Sequence, residues 1–183
     1  MKQARGVMLT GVLVSGFLVT AATLATGQEG KSKTPPTPAQ SITGTFTSIN
    51  NRIIAMAEDW PAEKYNFRLD PKANPPVRTF GEVLVHVLSG NVYAAKAGRG
   101  EQVQWDEIDP KTLPGKTEIV AALKKAQADA TATLKATPPE KFATTLSPWL
   151  AVLEHDAEHY GLLIGYYRAN SVVPPSSRPK GTK

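Results

Sequence analysis

The chain of 183 residues contains three histidines, His86, His155 and His159, and their placement is the first feature that could do chemistry. His155 and His159 are four apart, on a stripe continued by Val152, Leu162 and Tyr166. Residues at that spacing are neighbours on one helix face, so both imidazoles can serve a single position. His86 sits in a separate apolar stretch, with Val83 one turn before it and Gly90 one turn after. In a helical bundle a facing helix brings a third ligand into the same core, which is how bundles build metal sites. Three neutral imidazoles leave an open coordination position for water or substrate, the pattern of catalytic and not of closed structural sites. With no cysteine in the chain, zinc, nickel, iron and manganese all remain suitable ions. The competing reading is three core histidines without metal. Each would then need its own hydrogen-bond partner indoors, which is costly.

The string from His155 to His159 also matches H-x-x-E-H, an inverted zinc-protease signature. That chemistry needs Glu158 as base and a further acidic ligand downstream, and no Asp or Glu follows Glu158. The missing ligand weighs against a peptidase. Glu82, one turn before His86, reads as the partner of a capping box with Thr79, with a second role as acceptor for a ligand imidazole as the alternative. Asp156 and Glu158 fall on other helix faces than the histidines and read as solvated or as ion-pair partners between helices. Tyr166 extends the stripe as pocket lining or core, Trp60 and Trp149 read as wedges at helix ends, and Lys124-Lys125 as solvated surface. Absence of cysteine excludes disulfides, iron–sulfur clusters, a cysteine nucleophile and a lipid-anchored N-terminal cysteine. No Gly-rich phosphate loop, serine elbow or RNA-binding aromatic motif is present.

The elements that must carry these residues are punctuated by proline. Lys2 and Arg5 precede an uncharged apolar run over residues 6–25, with Ala25 and Gly27 as small residues at its exit. Residues 1–27 are thus expected to be a secretory signal, or an uncleaved N-terminal anchor tethering the chain to a membrane. The product would be periplasmic or extracellular, or held at the membrane. Residues 28–40, rich in Lys, Ser, Thr and Pro, read as a disordered linker, residues 41–175 as the folded domain and 176–183 as a flexible tail. Without Lys2 and Arg5 the chain keeps 19 basic against 16 acidic residues, too even a balance for a nucleic-acid partner.

Within the domain, Ser41 is the expected cap of a first helix running to Trp60, on a stripe of Ile42, Phe46, Ile49, Ile53 and Ala57. Thr79 starts a second helix that fades near Gly98. A third runs from about Lys116 to Thr137, with its stripe at Ile119, Leu123, Ala126, Ala130 and Leu134. Ser147-Pro148 opens a fourth that runs to Asn170. Pro71, Pro75 and Pro76 mark a long first connection, Pro110 and Pro114 a long second one, and period-two alternation is absent. The expected fold class is all-α, an antiparallel-type four-helix bundle with long first and second connections.

Thr79-Phe80-Gly81-Glu82-Val83-Leu84-Val85-His86 resembles the second-helix motif of the DinB (DinB/YfiT-like) family. His155-Asp156-Ala157-Glu158-His159-Tyr160-Gly161, continuing from Tyr167 to Ser177, resembles its fourth helix and exit, and Trp60 to Arg68 is similar to the segment after its first helix. The resemblance covers about residues 41–177. It implies a four-helix bundle with one divalent metal held by His86, His155 and His159, and a homodimer. It also implies a small-molecule substrate, since relatives include thiol-dependent transferases and isomerases that use a low-molecular-weight thiol such as mycothiol or bacillithiol. Such a thiol would reach the metal as its reactive thiolate. Two functions follow as expectations: an exported metal-dependent hydrolase or transferase, or a non-catalytic, stress-related metal-binding bundle.

Overall fold

A computed structural model describes residues 35–179 and Gly181. The expected export segment or membrane tether, the linker up to residue 34, and residues 180, 182 and 183 lie outside the described residues. Among the described residues, no helix is long and apolar enough to cross a membrane. They form helices α1 (Pro38–Asp59), α2 (Phe80–Gly98), α3 (Lys116–Ala136), a single turn α4 (Pro139–Phe142) and α5 (Leu146–Ala169). The fold is an all-α four-helix bundle built from α1, α2, α3 and α5.

Two boundaries differ from the expectation. The first helix starts before Ser41, because Thr37 and Gln40 close a capping box, Gln40 N donating to Thr37 Oγ1 and Thr37 N to Gln40 Oε1, and Pro38 takes the first position. Ser41 is left as an exposed residue inside that helix. The last helix begins at Leu146, not at a Ser147 cap, since Pro139 nucleates α4 and a 3₁₀ turn over Ala143–Thr145 leads straight into it.

Both α1 and α2 pack against α3 and α5, so the order around the bundle is α1, α3, α2, α5, and the first connection crosses a diagonal. That connection is anchored along its length. Trp60 stacks on Phe80 with ring centroids 4.6 Å apart, and Tyr65 meets Phe80 edge-on. Gly81 N donates to Tyr65 O and Phe80 N to Phe67 O. These bonds use the free amides at the start of α2, while the Thr79–Glu82 capping box uses two more. The result is a fixed start for the helix that carries His86. Burying a ring such as Phe80 contributes about 1.5–3 kcal/mol.

Lys116 Nζ donates to the carbonyls of Glu58 and Trp60, which closes the end of α1 against the start of α3. Beyond α5, Tyr160 shares a hydrogen bond with Ser176, and the Arg178 guanidinium forks onto both carboxylate oxygens of Asp59. That fork holds the Asp59 carboxyl below its usual range, against the opposing effect of burial.

At the far end of the bundle, Trp149 is fully buried and meets Phe46 edge-on. Its indole lies against Gly98, where an added β-carbon would come within 2.4 Å of the ring. Helix propensity favours Ala over Gly by about 1 kcal/mol in a helix interior, but overpacking of this kind costs about 1–3 kcal/mol. Gly98→Ala is therefore expected to lower the denaturant midpoint of unfolding with an unchanged m value; a raised midpoint would mean that Trp149 yields freely.

Candidate metal centre

The three histidines converge. His86 projects from α2, and His155 and His159 from the facing α5, with ring centroids 4.7, 4.7 and 4.3 Å apart for the three pairs. One ligating atom from each lies within 4.8 Å of those of the other two, and all three side chains are partly buried. Such a group could hold a metal ion.

Every ring has its Nδ1 engaged. His86 Nδ1 is 2.5 Å from Glu107 Oε1. Glu107 is held below the usual carboxylate range: burial alone would raise it, but the bond from His86 and the charge of Arg78 prevail. An ionised carboxylate only accepts, so His86 Nδ1–H is the donor. His159 Nδ1 is 2.8 Å from the carbonyl of His155, again an acceptor only. His155 Nδ1 lies 3.2 Å from Asp156 Oδ1. What remains on each ring is Nε2, and that of His155 is buried without a hydrogen-bond partner among the described residues. Unpartnered buried nitrogen is costly, and a metal ion is the partner whose chemistry suits it.

Loop residues 101–109 supply what the helical pattern could not reveal. The loop is pinned to α2 by Ile108 N, which donates to Ser89 Oγ at 3.0 Å. This places Glu107 against His86, and Arg78 Nη2 donates to both Glu107 oxygens at 2.8 and 3.2 Å. It also sets Trp105 edge-on to His86 and His155, with centroids 5.7 and 5.4 Å away. Trp105 is itself nearly half exposed and leans on Tyr93. Gly90 makes room beneath: an added β-carbon would come within 3.0 Å of the His155 ring and 3.3 Å of Trp105.

Asp156 corrects the sequence reading. It is neither solvated nor ion-paired to another helix but fully buried, and its partner across the bundle is neutral: its Oδ2 accepts from Asn50 Nδ2 at 2.8 Å. Asn91 Nδ2 in turn donates to Asn50 Oδ1 at 2.7 Å, so three helices share one polar chain that ends at His155. Burial pushes the Asp156 carboxyl above its usual range, and its bonds from His155 and Asn50 offset part of that. Asn50 lies on the α1 stripe between Phe46 and Ile53, so a polar residue on an apolar stripe was the available signal; Glu107 had none, because a loop carries no period.

Elsewhere the placements are simpler. Glu82 completes the capping box and pairs with Arg68 at 3.1 Å. Glu158 is exposed. Tyr166 is buried, and its hydroxyl donates to the carbonyl of Arg78. Leu162, expected on the histidine stripe, is 40% exposed at a cleft beside His159.

Comparison with known families gives one match: the model of the DinB superfamily covers residues 45–163, more than half of the chain and all three histidines. No curated protein matches the chain.

Burial holds His86 and His159 below the ordinary imidazole value; for His86 the Glu107 bond opposes this, and for His159 the bond to the His155 carbonyl does. The unfolded chain therefore takes up protons first, near about pH 6.5. The stability these rings contribute is present above that value and falls as pH drops toward their folded values. Chelator-treated protein is expected to lose more stability between about pH 6.5 and 5 than a His86→Gln/His159→Gln variant, as read from denaturant midpoints. Equal slopes would contradict the burial argument.

Proposed function

The chain belongs to the DinB superfamily, and on that premise we propose that it is an exported metal-dependent enzyme, a hydrolase or group transferase, whose ion is held by His86, His155 and His159. The observation that carries the reading is the set of three tied Nδ1 atoms with His155 Nε2 buried and without a partner among the described residues. Three imidazole ligands leave room for a further ligand, as reaction sites require. Export is argued from the basic head, apolar run and small-residue exit of residues 1–27.

When bound, a divalent ion at this position supplies Lewis-acid chemistry, polarising a carbonyl or favouring the deprotonated form of a water or thiol. The chain's own groups do the rest. Glu107 holds the Nδ1 proton of His86 and so fixes its tautomer and ring plane, and the His155 carbonyl does the same for His159. Asp156, held by Asn50, orients His155 from the core side. Trp105 covers the His86 and His155 edges and limits water there, while the His159 side opens to a cleft. Arg78 keeps Glu107 ionised and aimed.

Protein purified without a histidine tag is expected to carry near-stoichiometric metal by elemental analysis, and His155→Ala to lose it; a metal-free wild type would end the proposal. Glu107→Gln keeps the size of the side chain but weakens the acceptor for His86. It is expected to reduce metal affinity by about 10–100-fold with an unchanged unfolding midpoint in chelator. Screening the metal-loaded protein for thiol conjugation and for ester or amide hydrolysis is expected to yield turnover that chelation abolishes and metal restores.

A further inference from the structure

The cleft that opens beside His159 has a volume of about 860 Å³, within the size range of small-molecule sites. Its walls are chiefly apolar, from Leu69, Val77, Ile108, Leu162 and Tyr166. Leu69 and Leu162 are 37% and 40% exposed, large apolar side chains without a covering partner at the mouth.

The charges around this cleft are unequally committed. Arg68 engages both terminal nitrogens, Nη1 on the carbonyl of Val77 and Nη2 on Glu82. Asp109 turns its carboxylate to the amide of Lys111. Arg78 differs: only its Nη2 is engaged, on Glu107, and among the described residues Nε and Nη1 carry no hydrogen bond. Its guanidinium side chain is 46% exposed. The hydroxyl of buried Tyr166 holds the Arg78 backbone carbonyl, and the bonds from Nη2 to Glu107 aim the guanidinium from there onto the cleft wall. A planar guanidinium with free donors is the group that recognises a carboxylate.

The geometry points to a substrate class for the proposed reaction site: a carboxylic acid with an apolar body, its carboxylate on Arg78 and its body along Leu69, Ile108 and Leu162, in the cleft that His159 lines. This rests on the reading of the histidines as the reaction centre, since only then does a ligand in the cleft lie beside anything reactive. Neither feature suffices alone. A purely apolar ligand leaves the Arg78 donors unused, and a small anion leaves the apolar walls wet.

The test is calorimetric titration of the full-length chain with octanoate, octanamide and acetate, in chelator and again after zinc loading. Octanoate is expected to bind at one site per chain in both states, at least about tenfold tighter than either comparison compound. Arg78→Gln is expected to weaken octanoate by about ten- to a hundredfold while leaving octanamide unchanged. Leu162→Asp, at a position 40% exposed, places a like charge on the wall and is expected to remove octanoate binding while leaving the unfolding midpoint near that of wild type; loss of binding only through unfolding would disqualify this variant and leave Arg78→Gln to decide. Octanamide equal to octanoate, acetate equal to octanoate, or octanoate binding indifferent to both substitutions would each overturn the assignment. A protein that takes up zinc but not octanoate refutes the cleft and leaves the metal reading standing. A protein that binds octanoate through Arg78 but takes up no zinc does the reverse.

Discussion

Three imidazoles crowded into one half-buried spot is the constraint from which the rest of the structure follows. Each ring has two nitrogens, and both need partners when water is limited. Here Glu107, Asp156 and the His155 carbonyl take the Nδ1 atoms, which leaves the opposite nitrogens, and among the described residues His155 Nε2 has no acceptor or donor. A cation resolves the crowding and the missing partner together. Without one, burial favours the neutral forms of His86 and His159.

The bundle meets this constraint by fixing two helix registers. The start of α2 is set by the Thr79 cap and by the connection laid against it from Tyr65 to Phe67, so His86 has a defined height. α5 is set at one end by Trp149 against Gly98 and Phe46, and at the other by Tyr166 and Tyr167 among Trp60 and Phe80. Between these clamps sit His155 and His159. The second connection, from Arg99 to Gly115, joins two neighbouring helices and is longer than that task needs. Its surplus length is what carries Trp105 and Glu107 over the histidines.

How much of this could be read from the chain depends on which forces write a pattern into it. The four long helices, their apolar stripes and the convergence of the histidines were legible, because helical period and spacing encode a face. The Thr79–Glu82 capping box was legible for the same local reason. The start of α1 was misplaced because two caps, Thr37 and Ser41, both fit locally, and the proline at position 38 decides between them. Asp156 was misread because the inward arc of a central helix is wider than one stripe: a carboxylate beside a histidine can still be turned to the core when Asn50 waits there. Glu107 and Trp105 left no trace, since a loop held by scattered contacts such as the Ser89 hydroxyl has no periodicity to detect.

X-ray absorption at the metal edge of the full-length, metal-loaded protein tests the central claim most directly. The account predicts three imidazole nitrogens at about 2.0–2.1 Å for zinc, with multiple-scattering features of histidine rings. A spectrum fitted by oxygen ligands alone, or by one imidazole, would contradict it.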